Sequence, residues 1–90
     1  LQLSPRIETG SKSIMFGGSS VYSYSIPFER PFGSPPVVVA SMATAAGGTT
    51  QIDVKAYNIT NQKFDLAFIT NDGSKPSGVP AVANWVAVGV

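Results

Sequence analysis

Apolar and polar residues alternate with a period of two along much of the chain. Between positions 22 and 28, aromatic and isoleucine side chains alternate with Ser23 and Ser25, and further on Phe64, Leu66 and Phe68 alternate with polar neighbours. This period is typical of half-buried β-strands. Glycine or proline recurs about every ten residues, and no apolar stripe of useful length has the period of a helix. The pattern predicts an all-β chain of short strands joined by turns.

Six strands are predicted from this alternation, over residues 6–9, 22–28, 37–40, 51–59, 63–68 and 83–90. Pro27 predicts an edge position or a bulge in the second strand, because proline cannot donate a ladder hydrogen bond. The third strand is apolar on both faces and is therefore predicted to lie in the centre of a sheet. Since the connections are short, the strands are expected to be antiparallel, and the predicted fold class is a six-stranded antiparallel β-sandwich.

The last predicted strand is apolar on both faces. Trp85 and Ala87 share one face, and Val86, Val88 and Val90 share the other. Trp85 is predicted to lie in the core, because the small residues beside it leave room for its indole. In a small sandwich the second face of a strand usually meets water. The valine face is therefore expected to be shielded from solvent, either by another part of the same chain or by a second subunit.

Length and composition favour the second subunit. Ninety residues make one domain, predicted over residues 6–90, with residues 1–5 as a lead-in from an upstream stalk or linker. A domain of this size buries only roughly 60–65% of the surface that its unfolded chain exposes. The chain has no cysteine and no histidine, which excludes disulfides and removes the commonest metal ligand. Oligomerisation remains as the source of extra stability.

Charge and side-chain chemistry argue against several classes of function. The net charge is +1 and no two basic residues are adjacent, whereas nucleic-acid binding needs a clustered basic surface. No apolar run approaches the ~20 residues of a transmembrane helix. Nucleophilic catalysis would lack a histidine base, and Asp53 and Asp65 lie on polar strand faces where solvated side chains are expected. We expect no enzyme activity, no cofactor, no metal, no nucleic-acid partner and no membrane insertion.

Three motifs in order resemble the H-type lectin domain. They are the proline-rich opening FERPFGSPPV at 28–37, the segment VKAYNIT at 54–60 with Phe64 four residues later, and NWVAVG at 84–89. The resemblance extends over residues 6–90 and implies a six-stranded antiparallel sandwich that assembles as a homotrimer. Val86, Val88 and Val90 are then predicted to lie at the trimer interface.

The resemblance also implies a saccharide site in a cleft between neighbouring protomers. Snail and slime-mould members bind N-acetylgalactosamine or galactose through an arginine and an aromatic–histidine pair, but the corresponding positions here are Gln51, Asn71 and Asp72. The sugar specificity of those members is therefore not expected. A saccharide still needs hydrogen-bonding groups beside an aromatic ring. The predicted carbohydrate-binding residues are Gly18, Ser19, Tyr22, Gln51, Asn71 and Asp72.

The NIT turn and the NWVAVG ending resemble the version of this domain at the C-terminal tip of bacteriophage tail fibres and receptor-binding proteins more than the snail and slime-mould version. The first hypothesis is accordingly a tail-fibre head that binds a bacterial cell-surface glycan. The alternatives are a structural trimerisation or capping tip without its own ligand, and a secreted eukaryotic H-type lectin. The expected location is the virion, at the tip of the tail fibre, or outside the cell for a secreted lectin.

Overall fold

The protein consists of two β-sheets that pack against each other through the apolar strand faces predicted from the alternation. The structure is a computed structural model that describes residues 5–45, 52–70, 75 and 77–90. Its strands are β1 (Arg6–Gly17), β2 (Val21–Pro27), β3 (Val37–Ala45), β4 (Ile52–Tyr57), β5 (Lys63–Thr70) and β6 (Ser77–Gly89). Antiparallel pairing gives one sheet in the order β1-β6-β3 and a second in the order β2-β5-β4. The predicted six-stranded antiparallel sandwich is confirmed.

The core lies between the two sheets and is largely aromatic. Its fully buried large side chains are Phe16, Phe64, Leu66 and Phe68. The centroid of the Phe64 ring lies 5.1 Å from that of Trp85 and 5.6 Å from that of Phe28, within the range at which aromatic pairs attract each other. Trp85 is only 8% exposed. Its predicted place in the core is therefore confirmed.

Gly10 allows Trp85 to lie flat against β1. The two residues are cross-strand partners in the β1–β6 pair, and Gly10 lies on the inner face. A Cβ atom at position 10 would be 2.5 Å from Cζ2 of the indole, far inside van der Waals contact. Position 10 therefore accepts no side chain unless the indole moves.

β1 is longer than the predicted strand at 6–9, because its inner face begins with charged residues. Arg6, Glu8 and Lys12 occupy alternate inward positions and are half-buried. These polar residues interrupt the apolar alternation by which a strand is recognised in a sequence. The strand continues past them to Ile14 and Phe16, whose inward side chains have the expected apolar character.

Each of these charged side chains has a partner that explains its inward position. Nζ of Lys12 lies 4.6 Å from the centroid of the Tyr24 ring. The Arg6 guanidinium lies 3.7 Å from the centroid of the Phe32 ring and donates hydrogen bonds to the carbonyls of Arg30 and Pro31. Glu8 accepts a hydrogen bond from the Glu29 backbone N–H at 2.9 Å. The contacts of Arg6 and Glu8 tie the proline-rich connection between β2 and β3 to the edge strand β1.

The prediction that the third strand is central is wrong, because β3 lies at the edge of its sheet. Val38 and Ala40 point inward and are half-buried, whereas Val37 and Val39 point outward and are more than half exposed. The strand is apolar on both faces because its outer face belongs to an exposed apolar surface. Pro27 predicts an edge position or a bulge for the second strand, and β2 lies at the edge of its sheet.

β6 starts at Ser77 and not at position 83, and it is the central strand of its sheet. The extra residues include Gly78 and Pro80, which are typical of turns in a sequence. Pro80 nevertheless pairs with Met15 of β1, so the strand runs through a residue that has no backbone N–H to donate.

The turn between β4 and β5 is held by side chains of the NIT motif. The Thr60 hydroxyl oxygen accepts hydrogen bonds from the backbone N–H groups of Gln62 and Lys63, both at 3.2 Å. Asn58 has a φ of 49°, a left-handed conformation that asparagine tolerates. Its Nδ2 donates a hydrogen bond to Oδ2 of Asp65 at 3.0 Å. The motif therefore has a structural role in this chain.

Asn58→Gly is expected to raise the pKa of Asp65. The Asn58 hydrogen bond, with Lys63 nearby and against a weaker opposing effect of desolvation, holds the pKa of Asp65 below its ordinary value of 3.8. Glycine keeps the positive φ and removes only the donor. A folded-state pKa below the unfolded one means that the ionised carboxylate stabilises the fold at higher pH, and that this contribution is lost as the pH falls through the folded pKa.

Carboxyl-detected NMR titration of parent and variant measures this pKa. Asn61→Gly, in the same turn but without a hydrogen bond to Asp65, serves as the control and should leave the pKa unchanged. An Asp65 pKa that is equal in the parent and in Asn58→Gly contradicts the assigned cause.

Candidate functional site

The six predicted carbohydrate-binding residues fall in three segments that the structure describes in part. Gly18, Ser19 and Tyr22 are described, whereas Gln51, Asn71 and Asp72 lie outside the described residues. The geometry of the site is therefore built from the first group and from the described residues that flank the second.

The flanking residues lie together at one end of the sheet β2-β5-β4. The carbonyl of Ser20 accepts a hydrogen bond from the backbone N–H of Thr70 at 3.0 Å. Ile52 is the cross-strand partner of Thr70. In the sequence Gln51 directly precedes Ile52, and Asn71 directly follows Thr70. The β1–β2 loop, the start of β4 and the end of β5 therefore lie at the same end of the sheet. We call this the loop end.

Tyr22 anchors the loop at this end. Its hydroxyl oxygen accepts a hydrogen bond from the Gly17 backbone N–H at 2.8 Å, and its ring meets Phe16 edge-on at 5.1 Å. Gly18 follows with a φ of 97°, which favours glycine. The Ser19 hydroxyl donates to the Val21 carbonyl at 3.2 Å. The loop is thus fixed by its own side chains, and the Tyr22 hydroxyl keeps its proton available as a donor.

The described part of the loop end offers groups that suit a hydroxyl-rich ligand. Gly18 is exposed and presents backbone without a side chain, while Ser19 and Tyr22 bring hydroxyls that both donate and accept hydrogen bonds. The Tyr22 side chain is partly buried and packs against the core. These features fit a polar ligand held at the surface rather than one enclosed in a pocket.

The predicted interface residues lie on the outer face of the other sheet. Val88 is 40% exposed, Val90 is 44% exposed and Val86 is half-buried. Within the described residues, no strand or loop of the same chain covers the two exposed valines. The sequence left two alternatives for covering the valine face, another part of the same chain or a second subunit. Among the described residues, no part of the same chain does so.

Register extends this apolar surface across all three strands of the sheet. Val88 pairs with Ile7 on β1 and with Val37 on β3, and Val86 pairs with Val39 on β3. Ile7, Val37 and Val39 are 66%, 68% and 57% exposed, and contiguous exposed apolar surface is typical of interaction sites. The sequence does not identify these three residues as part of the surface, because cross-strand pairing decides which residues adjoin β6. The apolar patch comprises Ile7, Val37, Val39, Val86, Val88 and Val90.

A polar row borders the apolar patch on the same face. Asn84 pairs with Ser11 on β1 and with Ser41 on β3. A shallow concavity of about 490 Å³ opens here, lined by Thr9, Gly10, Ser11, Val39, Ser41, Asn84, Trp85 and Val86. It lies on the outer face of β1-β6-β3 and not at the loop end. Because it adjoins the apolar patch, a subunit packed on the patch would also cover part of it.

The described residues hold no group of three or more histidine, cysteine, aspartate or glutamate side chains arranged to bind a metal ion. In the part of the chain that the structure describes, no helix is long and apolar enough to cross a membrane.

The fold has counterparts among solved structures. The tailspike gp61 of Pseudomonas phage phi297 superimposes with a TM-score of 0.78 at 19% identity, over 93% of this chain and 15% of the tailspike chain. The tailspike protein gp49 of Pseudomonas phage LKA1 gives 0.75 at 18% identity, also over 93% of this chain and 15% of that chain. At these identities the tailspikes show a shared fold alone.

Discoidin II of Dictyostelium discoideum superimposes with a TM-score of 0.76 at 27% identity, over 94% of this chain and 37% of that chain. The chain therefore spans a minor part of each of these proteins. No curated protein sequence matches it significantly.

The family model for the H-type lectin domain matches residues 23–88. The matched region begins in β2 and ends near the end of β6, so it includes strands of both sheets and the aromatic core between them. The sandwich, its connections and the motifs at 28–37, 54–60 and 84–89 thus agree with a single assignment: the chain belongs to the H-type lectin domain family.

Proposed function

We propose that this chain is the carbohydrate-binding head of a phage tail fibre or receptor-binding protein, and that it recognises a bacterial cell-surface glycan. Membership of the H-type lectin family supports a binding domain for saccharides and not an enzyme. The observation that carries the proposal in this chain is the convergence of Ser20, Ile52 and Thr70 at the loop end. The tailspike neighbours are phage proteins, and they motivate the phage setting and a location at the virion tail.

The proposed binding residues are Gly18, Ser19, Tyr22, Gln51, Asn71 and Asp72. The amides of Gln51 and Asn71 and the carboxylate of Asp72 supply donors and acceptors for hydroxyl pairs. Tyr22 holds the loop that carries Gly18 and Ser19. Among the described residues of the set, Gly18 is exposed and Ser19 and Tyr22 are half-buried, which fits a site at the surface. We therefore expect weak binding at each site, about millimolar to tens of micromolar, strengthened by multivalency.

Multivalency comes from a homotrimer in this proposal. The apolar patch supports it, because three of its residues are more than half exposed in the single chain and a small domain gains stability from burying such surface. We place Val86, Val88 and Val90 at the interface. The saccharide cleft is then completed between neighbouring protomers.

Gln51→Ala and Asp72→Ala are each expected to lower the affinity for a bacterial surface polysaccharide that the parent binds, by about tenfold or more, which corresponds to ~1.4 kcal/mol. The reason is the loss of a hydrogen-bonding group from a site with few of them. Gln62→Ala is the matched control, since Gln62 is exposed at the opposite end of the sheet β2-β5-β4 and should leave binding unchanged.

Biolayer interferometry on immobilised polysaccharide measures the affinity, with the melting temperature and the mass in solution as checks on fold and assembly. If both variants bind as tightly as the parent, the site lies elsewhere. A folded chain that binds no polysaccharide supports the structural tip in place of the binding head.

A further inference from the structure

The outer face of the sheet β2-β5-β4 carries an aromatic ring that is held in a fixed position. Tyr57 is the last residue of β4 and points to this outer face, and its hydroxyl donates a hydrogen bond to Oγ of Ser23 at 3.0 Å. Ser23 belongs to β2, and β5 lies between β2 and β4. The Tyr57 side chain must therefore cross β5 to reach its partner.

The burial of Ala67 shows where the ring lies. Ala67 is the outward residue of β5 that pairs with Ser23 on one side and with Lys55 on the other. A small residue on an outer sheet face is normally exposed to solvent, yet Ala67 is only 4% exposed. The Tyr57 ring, which extends from β4 to Ser23, shields Ala67 from solvent. One face of the ring is thus packed on the sheet, and the opposite face points away from it.

Charged side chains of both signs lie beside the ring. Nζ of Lys55 lies 5.6 Å from the ring centroid, a weak cation–π contact that a ligand can displace. Among the described residues, Lys55 has no carboxylate within ion-pair distance. Asp65, the cross-strand partner of Tyr57, is held by Asn58 and Lys63 and keeps unused acceptor lone pairs.

We propose that this surface is a second saccharide-binding site, distinct from the loop end, and that it takes the pyranose ring of a neutral sugar. The Tyr57 platform comprises Ser23, Lys55, Tyr57, Asp65 and Ala67. A pyranose has one face of C–H groups, which packs on an aromatic face, and hydroxyls at its rim, which need donors and acceptors. The platform supplies the ring from Tyr57, donors from Lys55 and acceptors from Asp65.

The balance of charge selects a neutral ligand. Lys55 and Lys63 are matched on this face by Asp53 and Asp65, so the surface has no net charge to attract an anionic or a cationic sugar. The hydroxyl bond to Ser23 fixes the ring before a ligand arrives, which reduces the entropy lost on binding. The inference extends beyond the proposed function, because it uses none of the loop-end residues.

The test is amide-detected NMR on the ¹⁵N-labelled chain, titrated separately with the methyl glycosides of glucose, galactose and mannose. At least one of them is expected to shift the amides of Ser23, Lys55 and Ala67. Tyr57→Ala should abolish these shifts, whereas Tyr57→Phe, which keeps the ring and loses the bond to Ser23, should reduce them without abolishing them. Unchanged amide signals from the other sheet confirm that each variant is folded.

The two proposed sites can fail independently in this experiment. Shifts at Ser19 and Ser20 alone overturn the Tyr57 platform and leave the loop end intact. Shifts at the platform that persist in Tyr57→Ala also overturn it, because they do not depend on the ring. If none of the three glycosides shifts the platform amides, the proposal is wrong. Platform shifts that vanish in Tyr57→Ala support it, whatever happens at the loop end.

Discussion

Trp85→Ala is expected to lower the free energy of unfolding by about 3–5 kcal/mol, the cost of emptying a large aromatic side chain from a packed core. The indole is nearly fully buried and lies beside the rings of Phe64 and Phe28, with centroid distances of 5.1 and 6.2 Å. It also packs against Gly10, where no side chain fills the space. Its removal therefore leaves a cavity that the surrounding side chains close only in part.

Urea unfolding at a fixed protein concentration measures the effect, because oligomerisation makes stability depend on concentration. Trp85→Phe retains part of the aromatic packing and should lose markedly less stability than Trp85→Ala. A Trp85→Ala variant that keeps its melting temperature but loses saccharide binding contradicts the core role and would make the indole a ligand platform.

Val88→Lys is expected to dissociate the proposed trimer. Val88 lies at the centre of the apolar patch, between Ile7 and Val37 in the sheet β1-β6-β3. A lysine in the assembled interface would bury an unpaired charge, which costs several kcal/mol. In the single chain the same position is 40% exposed, so the lysine can reach water and the monomer can keep its fold.

Light scattering of the purified chain measures this change. The parent should have three times the 9.4 kDa chain mass, and Val88→Lys should have the mass of one chain. Val88→Ile, which preserves the apolar surface, is the matched control and should stay trimeric. A parent chain that is a stable monomer at micromolar concentration contradicts the interface.

The strands that can be predicted best from the sequence are those with one solvent-exposed polar face and one buried apolar face. β2, β4 and β5 follow the period of two and lie close to their predicted positions. β1 fails this criterion because Arg6 and Glu8 point inward, where the proline-rich connection supplies their partners. β3 fails it in the opposite sense, because Val37 and Val39 remain apolar while pointing outward. Both departures depend on contacts between segments that are distant in sequence.

The candidate sites differ in how far a sequence can reveal them. The loop-end residues are predicted because glycine, serine, amide and carboxylate side chains cluster at turns, and because the resemblance places those turns at one cleft. Tyr57 carries no such signal. Its place in the proposed platform rests on the crossing of β5 and the hydrogen bond to Ser23, and neither can be predicted until the order of the strands is known. The same holds for Ile7, which joins the apolar patch only through its pairing with Val88.

The most direct test of the proposed function is a glycan array that carries bacterial surface polysaccharides, incubated with the purified parent chain. We expect the chain to be retained on a limited set of these polysaccharides, and Asp72→Ala to lose that set while it keeps the parent's mass and melting temperature. A folded parent chain that is retained on no saccharide of the array contradicts the proposed function.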